Sequence, residues 1–143
     1  MNPMKKSGEA ILKYGDLVMF SGFGWLVVGY GQRGLRWEIG LVVAAVGFVF
    51  WAVARLQLGK SFAVTAQAKD LVTTGIYSKI RHPVYIFGGL GYLGLFIAWG
   101  NWILTIVFVA LQSMQIRRMR KEEKVLEEAF GDEYRQYKAR TWL

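Results

Sequence analysis

The chain has 143 residues, 54% of them hydrophobic, and carries eighteen Lys and Arg against ten Asp and Glu, a net charge of +8. It holds no cysteine and a single histidine, His82, which excludes disulfides, thiolate catalysis and multi-histidine metal centres, so no metal site is expected. Nucleic acid would suit the positive charge, but the cations are gathered between long apolar runs. That is the pattern of a membrane protein with a positive-inside bias, and no nucleic-acid partner is expected.

In chain order, Lys5 and Lys6 precede an apolar stretch as in a signal peptide. No small-residue cleavage site follows, so the stretch reads as a retained helix. Four apolar segments run over residues 14–30, 37–54, 84–99 and 102–116. Each is shorter than the ~20 residues of a standard span. Flanking Trp37, Trp99 and Trp102, together with snorkelling Lys and Arg, can make up the length. Gly100 and Asn101 form a tight turn, which makes the third and fourth segments a helical hairpin. Nothing between Gln112 and Glu128 stops a helix, so the fourth segment runs on into the tail. Gly131 suits the end of that helix, and Asp132 suits the N-cap of a second short helix with Tyr134 and Tyr137 on one face. Gly22, Gly24, Gly29, Gly88, Gly89, Gly91 and Gly94 fall inside the segments and read as points of close helix packing. Gly22-Phe23-Gly24 follows no strand and is not a nucleotide fingerprint.

The cations sort by loop. Three lie before the first segment, two between the first and second, five between the second and third, none in the hairpin turn and eight in the tail. With four spans and both termini inside, sixteen of the eighteen are cytosolic. The expectation is an all-α polytopic protein of about four transmembrane helices with a cytosolic helical tail. It forms one membrane-embedded domain over 1–143, with a helix pair at 1–56, a cytosolic connector at 57–83, the hairpin at 84–116 and the tail at 117–143. The location expected is the cell (inner) membrane, with both termini cytosolic.

Two clusters carry chemistry. Thr74-Gly75-Ile76-Tyr77-Ser78-Lys79-Ile80-Arg81-His82-Pro83-Val84-Tyr85 lies at the mouth of the third segment. Pro83 fits the first helical turn, where its missing N–H costs nothing. Arg81, His82 and Tyr85 then surround a helix N-terminus, a seat for an anion such as a carboxylate. The bland reading of the same residues is a basic inner loop with Tyr77 and Tyr85 as interface anchors. The second cluster is Glu122-Glu123, just beyond the fourth segment. Gln112, Gln115, Arg118 and Glu122 share one helical face, a polar stripe leading from the apolar segment to the acid pair. Polar stripes in spans face a cavity or the bundle interior. The bland reading here is a solvated face with i,i+4 ion pairs.

Together the clusters resemble the isoprenylcysteine carboxyl methyltransferase and phospholipid methyltransferase superfamily. Its members share an Arg-His-Pro-x-Tyr segment and a later Glu-Glu pair with a helical hairpin between. Here these are Arg81-His82-Pro83-Val84-Tyr85 and Glu122-Glu123. Trp51-Ala52, Leu58-Gly59, the lead-in from Leu71 to Tyr77, and Phe130-Gly131-Asp132-Glu133-Tyr134 with Tyr137 and Arg140 are further points of likeness. The resemblance covers about two-thirds of the chain. One departure is Phe87, where the family often has glycine.

The resemblance implies methyl transfer from S-adenosylmethionine to a lipid-like or isoprenoid-type acceptor at the cytosolic interface. It implies Tyr77, Arg81, His82, Pro83, Tyr85, Glu122, Glu123, Tyr134 and Tyr137 as cofactor-binding residues, Arg118 and Glu122 as catalytic, and the tail as a cap over the cofactor. Glu122 and Glu123 would take the cofactor's amino group or ribose hydroxyls; Arg81 and His82 would take its carboxylate. The partners implied are a lipophilic substrate and membrane lipids. Two other readings stay open: an NADPH-dependent membrane reductase of the sterol-reductase type, and a small transporter. For the transporter, every acid lies at a segment edge or outside, whereas proton coupling calls for one mid-span.

The topology is tested by reporter fusions. Fusions at residues 33 and 100 are expected to read outside and one at residue 70 inside; an inside signal at residue 100 overturns the four-span arrangement.

Overall fold

The computed structural model describes the backbone of residues 3–59 and 71–142, and side chains from Leu17 onward. The elements are α1 (Pro3–Tyr30), α2 (Leu35–Leu58), a 3-10 turn (Gly75–Ser78), α3 (Pro83–Trp99), α4 (Trp102–Phe130) and α5 (Asp132–Arg140). The described residues are helical without strands; one isolated bridge pairs Ile80 with Trp142. The all-α expectation holds. α1 and α2 extend beyond the apolar segments that announced them.

Among the described residues, α2 is the one helix both long and apolar enough to cross a membrane by length and composition. The apolar part of α1, Leu17–Tyr30, and α3 are shorter apolar helices. α4 has the length, but its second half carries the charged run from Arg117 to Glu128.

The hairpin forms as expected. Gly100 caps α3 in the left-handed region at φ 81°, a conformation glycine adopts without strain. Asn101 caps α4, its side-chain oxygen accepting from the Leu104 N–H at 3.1 Å. α4 then runs unbroken to Phe130. Gly131, at φ 51°, both ends α4 and precedes α5. The expected N-cap role of Asp132 is therefore corrected: Asp132 is the first helical residue, and its carboxylate accepts from Arg135 at 2.7 Å instead.

α2 and α3 meet backbone to backbone along a seam of small residues. A Cβ on Gly40 would lie 2.4 Å from the Ala98 nitrogen, one on Gly47 2.4 Å from that of Gly91, and one on Gly94 2.3 Å from that of Ala44. Such approach is how helices pack tightly where apolar side chains gain nothing by leaving lipid. Gly88 admits the buried indole of Trp51, and Arg55 lies over that ring at 5.1 Å. Phe87, the departure from the family pattern, stacks on Phe50.

Close packing is thus right for Gly91 and Gly94, and it extends to Gly40 and Gly47, which the pattern did not single out. It is wrong for Gly22, Gly24 and Gly29, where a Cβ would meet nothing within 4 Å. α1 docks through rings instead: Phe20 lies 4.2–4.9 Å from Phe48, Trp51 and Tyr92, and Phe23 packs on Phe96 and Trp99.

The two glycine classes separate under mutation. Gly94→Ala is expected to lower the melting temperature of the purified protein, since overpacking costs typically about 1–3 kcal/mol. Gly24→Ala is expected to leave it unchanged or raise it, because alanine is the better helix former by up to ~1 kcal/mol. Equal loss in both variants removes the seam.

Candidate functional site

The seam carries α3 to a fixed position against α2, and the connector enters α3 through a tied turn. The Gln57 side-chain oxygen accepts from the Ile76 N–H at 2.8 Å. Gly75, at φ 61°, lies so close to Gln57 that a Cβ would fall 2.4 Å from it. Pro83 is buried at the first position of α3, as expected. His82 precedes it and is 7% exposed. Tyr85 and Ile86 both donate their N–H groups to the His82 carbonyl at 3.1 Å. Pro83 has no N–H, so among the described residues only Val84 of the first turn lacks a backbone acceptor. The anion seat expected at this N-terminus is accordingly poorer in free donors than the sequence suggested.

The side chains converge on the acid pair. Arg81 Nε donates to Glu123 Oε1 at 3.0 Å, His82 Nε2 to the same oxygen at 3.2 Å, and Lys138 Nζ to Glu123 Oε2 at 2.8 Å. Tyr85 donates its hydroxyl to Glu122. Arg118 pairs with Glu122 one turn earlier at 3.5 Å and lies over the Tyr85 ring. The polar stripe is real at its upper end too, since the Gln112 amide rests against Gly89. Arg81, His82, Tyr85, Arg118, Glu122 and Glu123 thus form one cluster. In it Arg81 and His82 face Glu123 itself.

The tail folds back over the connector. Arg81 Nη1 donates to the carbonyls of Lys138 at 3.2 Å and Thr141 at 3.1 Å. Tyr137 donates its hydroxyl to the Tyr77 carbonyl at 2.7 Å. Trp142 and residues 79–81 exchange two backbone bonds, from Trp142 N–H to the Lys79 carbonyl and from Arg81 N–H to the Trp142 carbonyl. Tyr77, Tyr134 and Tyr137 are buried. Tyr134 is 0% exposed, and its hydroxyl has no hydrogen-bond partner among the described residues, a condition that costs roughly 1–3 kcal/mol unless a ligand or water supplies one.

Sequence reasoning missed Lys138, Thr141 and Trp142. The signal was present: Tyr134, Tyr137, Lys138 and Thr141 follow at i, i+3, i+4 and i+7, one face of α5.

Burial sets the protonation states. It lowers the His82 pKa below its ordinary value against the raising effect of Glu123, so the ring is neutral at pH 7. A carboxylate only accepts, which places the single ring proton on Nε2. For Glu123, burial acts to raise the pKa, but hydrogen bonds from Lys138 and His82 and the charges of Lys138 and Arg81 outweigh it and hold the carboxyl low. Burial raises the phenols of Tyr77 and Tyr134 and pushes that of Tyr137 up to about 12. All three are neutral donors.

Residues 35–133 match the family described as phospholipid methyltransferase. The chain is 37% identical over 94 residues to a protein-S-isoprenylcysteine O-methyltransferase of Schizosaccharomyces pombe, covering 62% of this chain and 40% of that protein. It is 31% identical over 123 residues to one from Dictyostelium discoideum, covering 74% and 47%. It is 28% identical over 107 residues to a phosphatidylethanolamine N-methyltransferase of Zygosaccharomyces rouxii, covering 69% and 13%. The chain spans less than half the length of each of these relatives.

Acid should loosen the cluster in two steps. Both His82 and Glu123 have folded pKa values below their ordinary 6.5 and 4.5. The unfolded chain therefore binds more protons, and stability present at neutral pH is lost as pH falls. The melting temperature is expected to drop first below about pH 6.5, through His82, and again below about pH 4.5, through Glu123. His82→Gln removes the first step and keeps the second; an unchanged profile in that variant shows that His82 is not what titrates.

Proposed function

The chain belongs to the phospholipid methyltransferase family, and from that premise we propose that it is an integral membrane methyltransferase. It transfers a methyl group from S-adenosylmethionine to a lipophilic acceptor, lipid-like or isoprenoid-type, at the cytosolic membrane boundary. It has four spans and cytosolic termini. The outward apolar side chains of α1, α2 and α4, among them Val18, Val49, Phe50, Ile106 and Val107, support a chain surrounded by lipid.

The observation that carries the reading is the convergence of Arg81, His82 and Tyr85 with Glu122 and Glu123 under the lid of Tyr134 and Tyr137. These residues suit S-adenosylmethionine by donor set. Carboxylates fit an ammonium or ribose hydroxyls. Arg81 fits a carboxylate. Phenol rings fit an adenine or a cationic sulfur. The buried Tyr134 hydroxyl, without a partner among the described residues, is a donor free to meet an acceptor on a bound molecule.

When bound, S-adenosylmethionine supplies a methyl group on a positive sulfur, and in-line displacement releases a neutral thioether. The protein's part is alignment and exclusion of water. Arg81 and Glu123 fix the lid to the connector. Arg118, reaching from α4 over Tyr85, and Glu122 are the proposed catalytic pair, placed to orient an acceptor arriving from the apolar side.

The test is titration of detergent-purified protein with S-adenosylhomocysteine. The parent is expected to bind. Glu122→Gln and Glu123→Gln are expected to bind about tenfold more weakly or worse, as for loss of a hydrogen bond to a charged group, ~1.5–3 kcal/mol. Tyr134→Phe should lose about threefold to tenfold in affinity, the range for a neutral hydrogen bond, while the unliganded protein melts no lower. A parent that shows no binding overturns the reading; unchanged affinity in Tyr134→Phe removes that residue alone.

A further inference from the structure

Beside the acid-pair cluster, the described residues line an open cavity of about 230 Å³, formed by Thr73, Ser78, Lys79, Tyr137, Arg140 and Thr141. Its lining holds two cations, four hydroxyls and no carboxylate. Among the described residues, neither Lys79 nor Arg140 takes part in an ion pair. Toward the described residues Arg140 uses its Nε alone, donated to the Gln136 carbonyl at 3.3 Å, and its terminal nitrogens present a fork of donors.

The C-terminal end of a helix normally repels an anion. Here several of the carbonyls toward that end of α5 are already occupied. Gln136 accepts from Arg140, Tyr137 from the Thr141 hydroxyl at 2.9 Å, and Lys138 from Arg81. Size narrows the occupant. Ligand cavities for drug-sized molecules run from about 300 Å³ upward, and water occupies about 30 Å³ in the liquid. The space fits a small polyatomic anion with a few attached atoms. A fork of guanidinium nitrogens and an ammonium together match a phosphoryl group; Ser78, Tyr137 and Thr141 already donate their hydroxyls to backbone carbonyls, which leaves the Thr73 hydroxyl as the neutral donor.

We propose that this cavity is an anion seat for a phosphoryl group, distinct from the acid-pair cluster, whose occupant clamps the connector to α5. Thr73, Ser78 and Lys79 come from the connector; Tyr137, Arg140 and Thr141 come from α5 and the residue after it. An anion shared between them adds a bridge in parallel with the Tyr137–Tyr77 and Arg81–Thr141 bonds. The phosphoryl group has two sources, an anionic phospholipid headgroup or free phosphate. The seat itself rests on geometry; only the lipid source depends on the membrane reading above.

The experiment reads the anion directly, without the methyl donor. Detergent-purified protein is examined by native mass spectrometry with added phosphatidylglycerol or phosphatidylcholine. Its melting temperature is followed with inorganic phosphate against chloride at equal ionic strength. The parent is expected to retain phosphatidylglycerol over phosphatidylcholine if the source is lipid, or to be stabilised by millimolar phosphate if it is free anion. Lys79→Gln/Arg140→Gln is expected to weaken the effect about tenfold or more, as for lost charge-assisted bonds. Lys121→Gln/Lys124→Gln removes the same charge from the exposed face of α4 and is expected to leave the effect intact. Equal weakening by both double variants means diffuse attraction to a basic surface and overturns the seat. Absence of both phosphatidylglycerol preference and phosphate stabilisation in the parent overturns it as well. Neither result bears on S-adenosylhomocysteine binding.

Discussion

Glu123 is the point on which the tail, the connector and the fourth helix depend. Its carboxylate stands 18% exposed and accepts from Arg81, His82 and Lys138. Those donors come from the residues leading into α3 and from α5, so one side chain ties together three parts of the chain. A charge drawn partly out of water is tolerated only with partners in good geometry, and removing one partner is worse than never having the pair. Arg81 makes the same point from the other side: its Nε serves Glu123 while its Nη1 serves two carbonyls of the tail. The tail is held by a shared ion pair with backbone bonds around it. A hydrophobic face contributes little, since α5 buries only Tyr134 and Tyr137.

That arrangement needs a fixed floor, which the seam of α2 and α3 provides. Gly40, Ala44 and Gly47 on one helix and Gly91, Gly94 and Ala98 on the other bring the backbones into contact. Farther along, Trp51 fills the space over Gly88, and Gln57 holds the turn before Tyr77. The depth at which Pro83 and His82 sit is thus set by residues too small to do anything else. A bulkier seam would move the start of α3 and with it two of the three donors to Glu123.

Much of this was legible in the sequence. The hairpin turn at Gly100 and Asn101, the unbroken run of the fourth helix, Pro83 at a helix start and the meeting of Arg81, His82 and Tyr85 with Glu122 and Glu123 all follow from local chemistry or from the motif. What escaped was relational. Glycine in an apolar helix announces that close approach is possible, but not which helix approaches. Gly24 and Gly94 look alike in sequence, and only one meets a neighbour. Lys138 was one cation among the eight in the tail, and its role depends on α5 folding back on the connector. The charges of Arg81 and His82 pointed toward an external anion; in the folded chain the nearest anion is the protein's own Glu123.

The state of His82 limits what this cluster can do chemically. A buried ring with its proton on Nε2, bound to Glu123, has an unprotonated Nδ1, and that nitrogen is the only basic position the ring has left. Taking a proton there would turn the imidazole into a buried cation, with Arg81 alongside opposing it and Glu123 favouring it. Under the proposed methyl transfer, a carboxylate acceptor carries no proton to give up, and for that class His82 would serve as a fixed donor that orients Glu123. An amine acceptor must shed a proton after methylation, and for that class Nδ1 is a candidate to receive it. On the proposed function, the same geometry would give a rate indifferent to the histidine's titration for one acceptor class and dependent on it for the other. The distinction rests on where one proton sits, which Glu123 decides by being able only to accept.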